Sequence, residues 1–486
     1  MLRKSRSHLD PCSQGVIEAE PCPDELGRVG PATQRRLVLA ACILASSMAF
    51  IDGSALTVAL PALRDDLNAS IEAVQWVLNG YMLALASLVL IGGALSDVYG
   101  KARILTIGCA AFGAASVLCA LADTPLMLIA ARVLQGAAAA VVAPASLALI
   151  GATYPKAMRN QAIGVWAAAS ALTTACGPVL GGWLTESLGW QSIFWLNPPL
   201  AALAIGLLVV AAPRDYRTVR AFDLPGAVIL AAALGIIAWA LSAVGPGEGG
   251  AHAAASAPTP VTLILGAGVA GAALLAGFFF WEARAAHPMT PPRLYANAGF
   301  TGLNLATLMI YAGLSIIFFL LPFELIDRRG LTPTMAGLAF LPFTMSVGFL
   351  STVFGGVADR TGPRLMLIGG PLIACVGYAL MILGREGSFL AGVLVPMGVL
   401  GLAFAVIVAP LTAAVMSSVD AADEGLASGM NNAASRIAQL VGVAMAAGLA
   451  SLSGGYVIAL SAAVVFSLAG ALIAAQTVPG GAKAAA

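Results

Sequence analysis

Residues 37–62 read LVLAACILASSMAFIDGSALTVALPA, an apolar run broken by a single charged residue, Asp52. Roughly 20 residues of helix cross the hydrocarbon core of a bilayer, so the run has span length. Helix is the state it must adopt, because an open sheet would leave backbone N–H and C=O groups unpaired in hydrocarbon. A carboxylate at that depth costs about 2.5–3.5 kcal/mol on insertion scales and is retained only for a reason. Residues 1–36 before it are polar and hold no apolar core of a secretory signal. They are expected to form a cytoplasmic tail ahead of an uncleaved first helix.

The same pattern repeats along the chain. Of its 486 residues 60% are hydrophobic and 10% charged, against roughly 25% charged in soluble domains. So few charges leave lipid as the solvent for most of the surface. Fourteen apolar runs of span length can be counted between residues 37 and 476. Placing the N-terminus inside puts 19 of the 24 basic residues on the cytoplasmic side, Arg436 at the opening of span thirteen among them, and four outside. Such a bias sets both termini in the cytoplasm and favours an even number of spans. Gly93, Asp97 and Gly100 after span two recur as Gly355, Asp359 and Gly362 after span ten, all displaced by 262 residues. The expected organisation is therefore an all-α polytopic membrane protein of two pseudo-repeated six-helix bundles. Residues 37–212 form the first bundle, 213–298 an inserted helix pair with linkers, 299–476 the second bundle and 477–486 a second tail. Repeated halves around a midplane site are the usual build of secondary transporters.

Several function classes are disfavoured. The net charge of +1 provides no basic footprint for nucleic acid. No GxxxxGK[ST] or HExxH occurs, which argues against an ATP-driven pump or a zinc protease. No cluster of nucleophile, base and acid is visible, so neither an enzyme nor a bound cofactor or metal is expected. The seven cysteines are scattered without a CxxC and read as packing residues.

The second intramembrane charge is Arg132 in LIAARVLQG (128–136). At 1.5 Å per residue, Asp52 lies about 13 Å from the Pro61 end of its span and Arg132 about 10 Å beyond Pro125. Their similar depths make them a candidate pair or relay. Desolvation penalises a carboxyl's charged form, which suits Asp52 to exchanging a proton. A purely structural Arg132, bonded to helix carbonyls, is the alternative. In span five Gly177-Pro178 and Gly181-Gly182 allow close helix approach and a bend, features of a moving helix or of ordinary packing. The repeated loop Gly93–Arg103 reads as an inner gate or a short connector, with glycines for a tight turn and Asp97 able to cap a helix. Trp183, Trp190 and Trp195 bracket the outer ends of spans five and six and read as interface anchors.

These residues together resemble the fourteen-span drug:proton antiporter branch of the major facilitator superfamily, over nearly all of residues 37–476. Asp52 with Ala59-Leu60-Pro61 resembles that branch's first-helix motif, and Gln75-Trp76 with Tyr81 its second helix. Gly93, Asp97 and Gly100 resemble its loop signature, and Arg132 with Gln135-Gly136 its fourth-helix motif. Gly177-Pro178 and Gly181-Gly182 resemble the motif associated with exporters, and Gly189-Trp190 through Phe194, Asn197 and Pro198 the start of its sixth helix. The resemblance implies proton-coupled export of hydrophobic or amphipathic small molecules by a monomer in the inner membrane. It implies a cavity lined by spans one, four, nine and twelve. Asp52 would carry the proton, Arg132 would couple to it, and Asp97 with Asp359 would serve the inner gates. A transporter of one specific metabolite, or a non-transporting receptor or scaffold, remains an alternative. The second half offers no clear membrane-centre carboxylate, so a cationic substrate is not favoured.

Overall fold

The computed structural model describes residues 31–212, 223–243, 260–286, 288, 290–420 and 423–478. Among the described residues the only regular structure is helix. The first bundle comprises α1 (Ala32–Asp66), α2 (Ile71–Tyr99), α3 (Lys101–Ala120), α4 (Pro125–Thr153), α5 (Lys156–Leu188) and α6 (Gln191–Trp195 joined through Leu196 to Asn197–Ala211). The inserted pair is α7 (Leu224–Ser242) and α8 (Val261–Glu282). The second bundle begins with α9 (Ala298–Phe323, ending in a π-turn at Glu324–Arg328) and α10 (Leu341–Thr361, led in by Pro333–Leu338). It continues through α11 (Arg364–Leu383), α12 (Val395–Ser417, entered by a π-turn at Leu390–Leu394), α13 (Glu424–Ala450) and α14 (Gly455–Thr477). Thirteen of these are long and apolar enough to cross a membrane by length and composition. The fourteenth is α2, whose 29 residues include only Glu72 and Asp97 as charges and which packs along α4.

Local chemistry sets the helix starts. Ser70 accepts from the Ala73 amide, Thr124 from Met127, and Thr332 from Met335, each at the first turn. Pro125 and Pro333 follow their caps at positions where a missing N–H is harmless. Gly100 joins α2 to α3 at φ 103° and Gly362 joins α10 to α11 at φ 82°. These two copies of the repeated loop thus make the same turn, one that only glycine adopts without strain. Gly93 faces Pro144 of α4, as Gly355 faces Ala409 of α12. The side chains of Asp97 and Asp359 lie outside the described residues. Gly362→Ala is expected to cost about 1–3 kcal/mol and to lower the thermal midpoint of the purified protein. An unchanged midpoint would show that the turn relaxes.

Helix pairing reproduces the repeat. The contacts α1–α5, α1–α6, α2–α4, α3–α4 and α3–α6 recur as α9–α13, α9–α14, α10–α12, α11–α12 and α11–α14. The halves meet along two seams of like construction, α2–α13 and α5 against the α10 lead-in, with α1 touching α9 between them. α7 lies over the α2–α13 seam, and Leu234 and Ala238 share a cluster with Ile91, Leu440 and Ala444. α8 packs chiefly on α7, and only 11% of its span window is buried, so it faces lipid.

Two side-chain expectations need correction. Trp183 and Trp195 are about half exposed, at 52% and 48%, as interface residues should be. Trp190 is buried instead, with its indole N–H donating to Asp66 at 2.8 Å, so it ties α6 to α1. Cys42, Cys109 and Cys119 are buried packing residues, whereas Cys176 is exposed. Cys12 and Cys22 lie outside the described residues.

Candidate functional site

Asp52 and Arg132, each 0% exposed, form an ion pair between α1 and α4. Equal depth on two adjacent helices brings them together as the spacing predicts. The arginine does more than pair. Its Nε donates to the Val77 carbonyl of α2 at 3.1 Å, and Nη1 donates to Gln135 Oε1 at 2.5 Å. The guanidinium thus bonds both the Asp52 carboxylate and a helix carbonyl. Its guanidinium lies 4.2 Å from the centre of the Tyr81 ring, a desolvated cation–π contact.

Asp52 is enclosed by donors. Gln135 Nε2 donates to Oδ1 at 2.9 Å, and Asn197 Nδ2 to the same oxygen at 3.3 Å. Both amides also donate to the Ser116 hydroxyl, at 2.7 and 3.1 Å. Four helices, α1, α3, α4 and α6, thus contribute side chains to one buried polar cluster. Such a cluster is stable only if nearly every member is satisfied, because a lone buried charge is costly. Ser116, Gln135 and Asn197 were not singled out as site residues. Gln135 and Asn197 stood only within motifs carried by the resemblance, and a serine inside an apolar helix gives no signal of its own.

Beside the cluster lies a central cavity of about 320 Å³. α1 contributes Gly53, Ser54 and Thr57, the residues that follow Asp52. Tyr81 is shared: one ring is both a lining residue of the cavity and the platform under Arg132. The other walls come from α4, α5, α9, α10 and α13. This corrects the expected lining by spans one, four, nine and twelve. No residue of α12 lines the cavity, because α12 packs against α10 and α11. The positions are taken by α2, α5, α10 and α13.

Arg436 is the second correction. It reads in sequence as a cytoplasmic residue opening span thirteen, yet α13 starts at Glu424. Arg436 therefore sits about 18 Å along the helix at 1.5 Å per residue, and it lines the cavity. The polar residues just before it face another helix: Asn431 donates to Asn304 and to Thr307 of α9.

The exporter-type glycines mark where backbones touch. A Cβ on Gly181 would lie 2.7 Å from Ala55 Cα, and one on Gly177 would overlap the Ser54 side chain, so both fit α5 against α1. Gly182 faces across the two halves: its Cβ would lie 2.8 Å from the Pro333 carbonyl carbon. Reciprocally, a Cβ on Gly337 would lie 2.9 Å from that of Pro178. Beyond this contact Arg64 pairs with Asp327 at 2.7 Å, and Glu186 accepts from the Thr334 amide at 3.1 Å. The halves are clasped at the end of the bundle that carries the α1–α2 turn.

Among the described residues one carboxylate of the second half is buried, though at a helix end. Glu324, in the π-turn closing α9, accepts from Arg385 through Nε and Nη2 at 3.0 Å each and from Arg328 at 2.5 Å. It lies 272 residues after Asp52 in sequence and is not among the residues that line the cavity.

A family model described as Major Facilitator Superfamily matches residues 42–281 and 303–484. Among curated relatives, the "Multidrug resistance protein Stp" of Mycobacterium tuberculosis (strain CDC 1551 / Oshkosh) is 33% identical over 413 residues, which is 84% of this chain and 74% of that protein. The "Tetracenomycin C resistance and export protein" of Streptomyces glaucescens is 32% identical, covering 82% of this chain and 72% of that one. The "Cephamycin export protein CmcT" of Amycolatopsis lactamdurans is 32% identical, covering 86% of each. Two solved structures share the fold. A bacterial homologue of the human lysosomal transporter Spinster, inward-facing and occupied, superposes with a TM-score of 0.67 at 15% identity, covering 93% of this chain and 99% of that one. A D-xylose-proton symporter superposes at 0.63 with 16% identity, covering 92% and 98%.

Proposed function

The chain belongs to the Major Facilitator Superfamily, a family of multi-pass membrane transporters, and from that premise we propose that it exports hydrophobic or amphipathic small molecules in exchange for protons. The observation that carries the coupling is the position of Asp52: fully buried, ion-paired, and immediately ahead of cavity-lining Gly53 and Ser54. The names of the relatives, each a resistance or export protein, support the direction and the substrate class.

The physics of the coupling follows from the cluster. With Asp52 ionised, its charge cancels that of Arg132 and the site is close to neutral. A proton on Asp52 removes that cancellation and leaves a buried guanidinium held by Gln135, the Val77 carbonyl and the Tyr81 ring. An uncompensated buried charge is strongly unfavourable. Protonation therefore biases the chain toward a conformation that hydrates or rearranges the cluster, which is what a two-state transporter needs from its driving ion. Tyr81, touching both cluster and cavity, passes the change to the substrate side.

In the orientation set by the basic residues, both termini are cytoplasmic and the clasped end faces out. The repeated loops of Gly93, Asp97 and Gly100 and of Gly355, Asp359 and Gly362 then lie at the inner gates. The division into 37–212, 213–298 and 299–476 matches two rocking bodies with an inserted pair, acting as a monomer. Expression in an efflux-deficient host is expected to lower accumulation of an amphipathic dye, with a protonophore restoring it. Dye exclusion that persists under the protonophore would overturn proton coupling. Unchanged accumulation across a broad panel would instead favour a single-metabolite transporter or a receptor.

A further inference from the structure

We propose that the central cavity is built for aromatic amphiphiles that carry an anionic group, and that Arg436 is the residue that reads this group. The proposal rests on the cavity being the site of the transported molecule. It adds the chemistry of what binds there.

The wall carries six aromatic rings, Tyr81 and Phe50 from the first half and Tyr311, Phe318, Phe319 and Phe343 from the second. Its volume of about 320 Å³ sits at the lower end of the range for small-molecule sites. Of the described residues that line it, Arg436 alone is charged, and no carboxylate is among them. Asp52, the nearest candidate to attract a cation, is 0% exposed and already bonded by Arg132, Gln135 and Asn197.

Arg436 is sparsely partnered. A guanidinium has five N–H donors, and the hydrogen bond recorded for this one is to Gln439 at 3.5 Å, the long limit of such a contact. Among the described residues no carboxylate lies within ion-pair distance of it. A cation held at membrane depth without a counter-ion is expensive and marks a substrate or ion path. A bound carboxylate or phenolate would satisfy it bidentately, with Gln439 as a neighbouring amide. Aromatic walls also attract cations, but here a cationic guest would meet Arg436 between protein walls, where like charges repel more strongly than in bulk water. The charge therefore decides the sign, and the rings decide the shape.

The test uses three probes on one ring system: anthracene-9-carboxylate, the neutral 9-(hydroxymethyl)anthracene, and (anthracen-9-ylmethyl)trimethylammonium. Equilibrium binding is measured to the purified full-length protein in detergent. The wild type is expected to bind the carboxylate at least tenfold more tightly than the ammonium. In Arg436→Gln the ratio of carboxylate to alcohol affinity should fall about tenfold, Arg436→Lys should recover part of it, and Arg436→Glu should invert the preference. A wild type that prefers the ammonium, or a ratio unmoved by Arg436→Gln, overturns the proposal. Because the readout is a ratio between probes on one sample, loss of folded protein cannot imitate it. The export reading is checked separately, by movement of the carboxylate in proteoliposomes under a pH gradient. Selective binding without transport would sink export and leave the site standing, whereas transport of the ammonium alone would do the reverse.

Discussion

Asp52→Asn is expected to reduce pH-gradient-driven efflux to the level of vesicles lacking the protein. The substitution preserves shape and leaves an oxygen to accept from Gln135 or Asn197, so it deletes the charge and the titration more than the packing. It also strands Arg132. Removing one partner of a buried pair costs roughly 3–5 kcal/mol, because the other charge stays in the low-dielectric interior. Loss of transport could then reflect a weakened fold. The double variant Asp52→Asn with Arg132→Gln separates the two effects. Replacing both charges by neutral groups is often nearly neutral for stability, so the double variant should regain most of the thermal midpoint while proton-driven efflux stays at background. Full efflux with an unchanged pH dependence in Asp52→Asn would remove Asp52 from the coupling. If the double variant transports as well, the pair is structural and the proton travels elsewhere.

What could be read in advance divides along a physical line. Asp52 and Arg132 stand out because a charge inside an apolar span has no inexpensive alternative placement, and equal depths were enough to pair them. The repeat was legible through its spacing of 262 residues, and the structure reproduces it helix by helix. The partners of the pair were not legible as a site, since Ser116 and Asn197 are residue types that helices in membranes carry for many reasons. Arg436 was misplaced because the polar run SGMNNAASR (428–436) makes span thirteen look by hydropathy as if it opens near residue 431. Its polar side chains turn toward α9 and the cavity, so polarity there reports an interior and not an end. The aromatic wall was hidden for the converse reason. Lipid is as apolar as a hydrophobic cavity wall, so Phe318 and Phe343 carry no periodic signal that tells one from the other. Which of the symmetry-related helices reach the cavity was equally unreadable, and α12 was expected where α10 and α13 are found.

The second large effect concerns the clasp. If the cavity is to open at the end carrying the α1–α2 turn, α5 must separate from the α10 lead-in, where Gly182 meets Pro333 and Gly337 meets Pro178. These contacts are backbone against backbone, so a side chain introduced there has no flexible neighbour to push aside. Gly337→Leu is therefore expected to hold the halves apart at this end and to abolish transport. The conformational readout is a reporter at cavity-lining Thr57→Cys, in a background without Cys176, which is exposed. Labelling by a membrane-impermeant maleimide from the clasped side should rise severalfold in Gly337→Leu. The Arg64–Asp327 pair spans the same seam at 2.7 Å, with side chains 25% and 31% exposed. Such pairs are worth about 0–1 kcal/mol, small beside a steric overlap with a main chain. Arg64→Ala should then alter transport less than about fivefold at the energies such pairs carry. The opposite ranking, with Arg64→Ala disabling and Gly337→Leu tolerated, would mean that charge and not close packing holds this end shut.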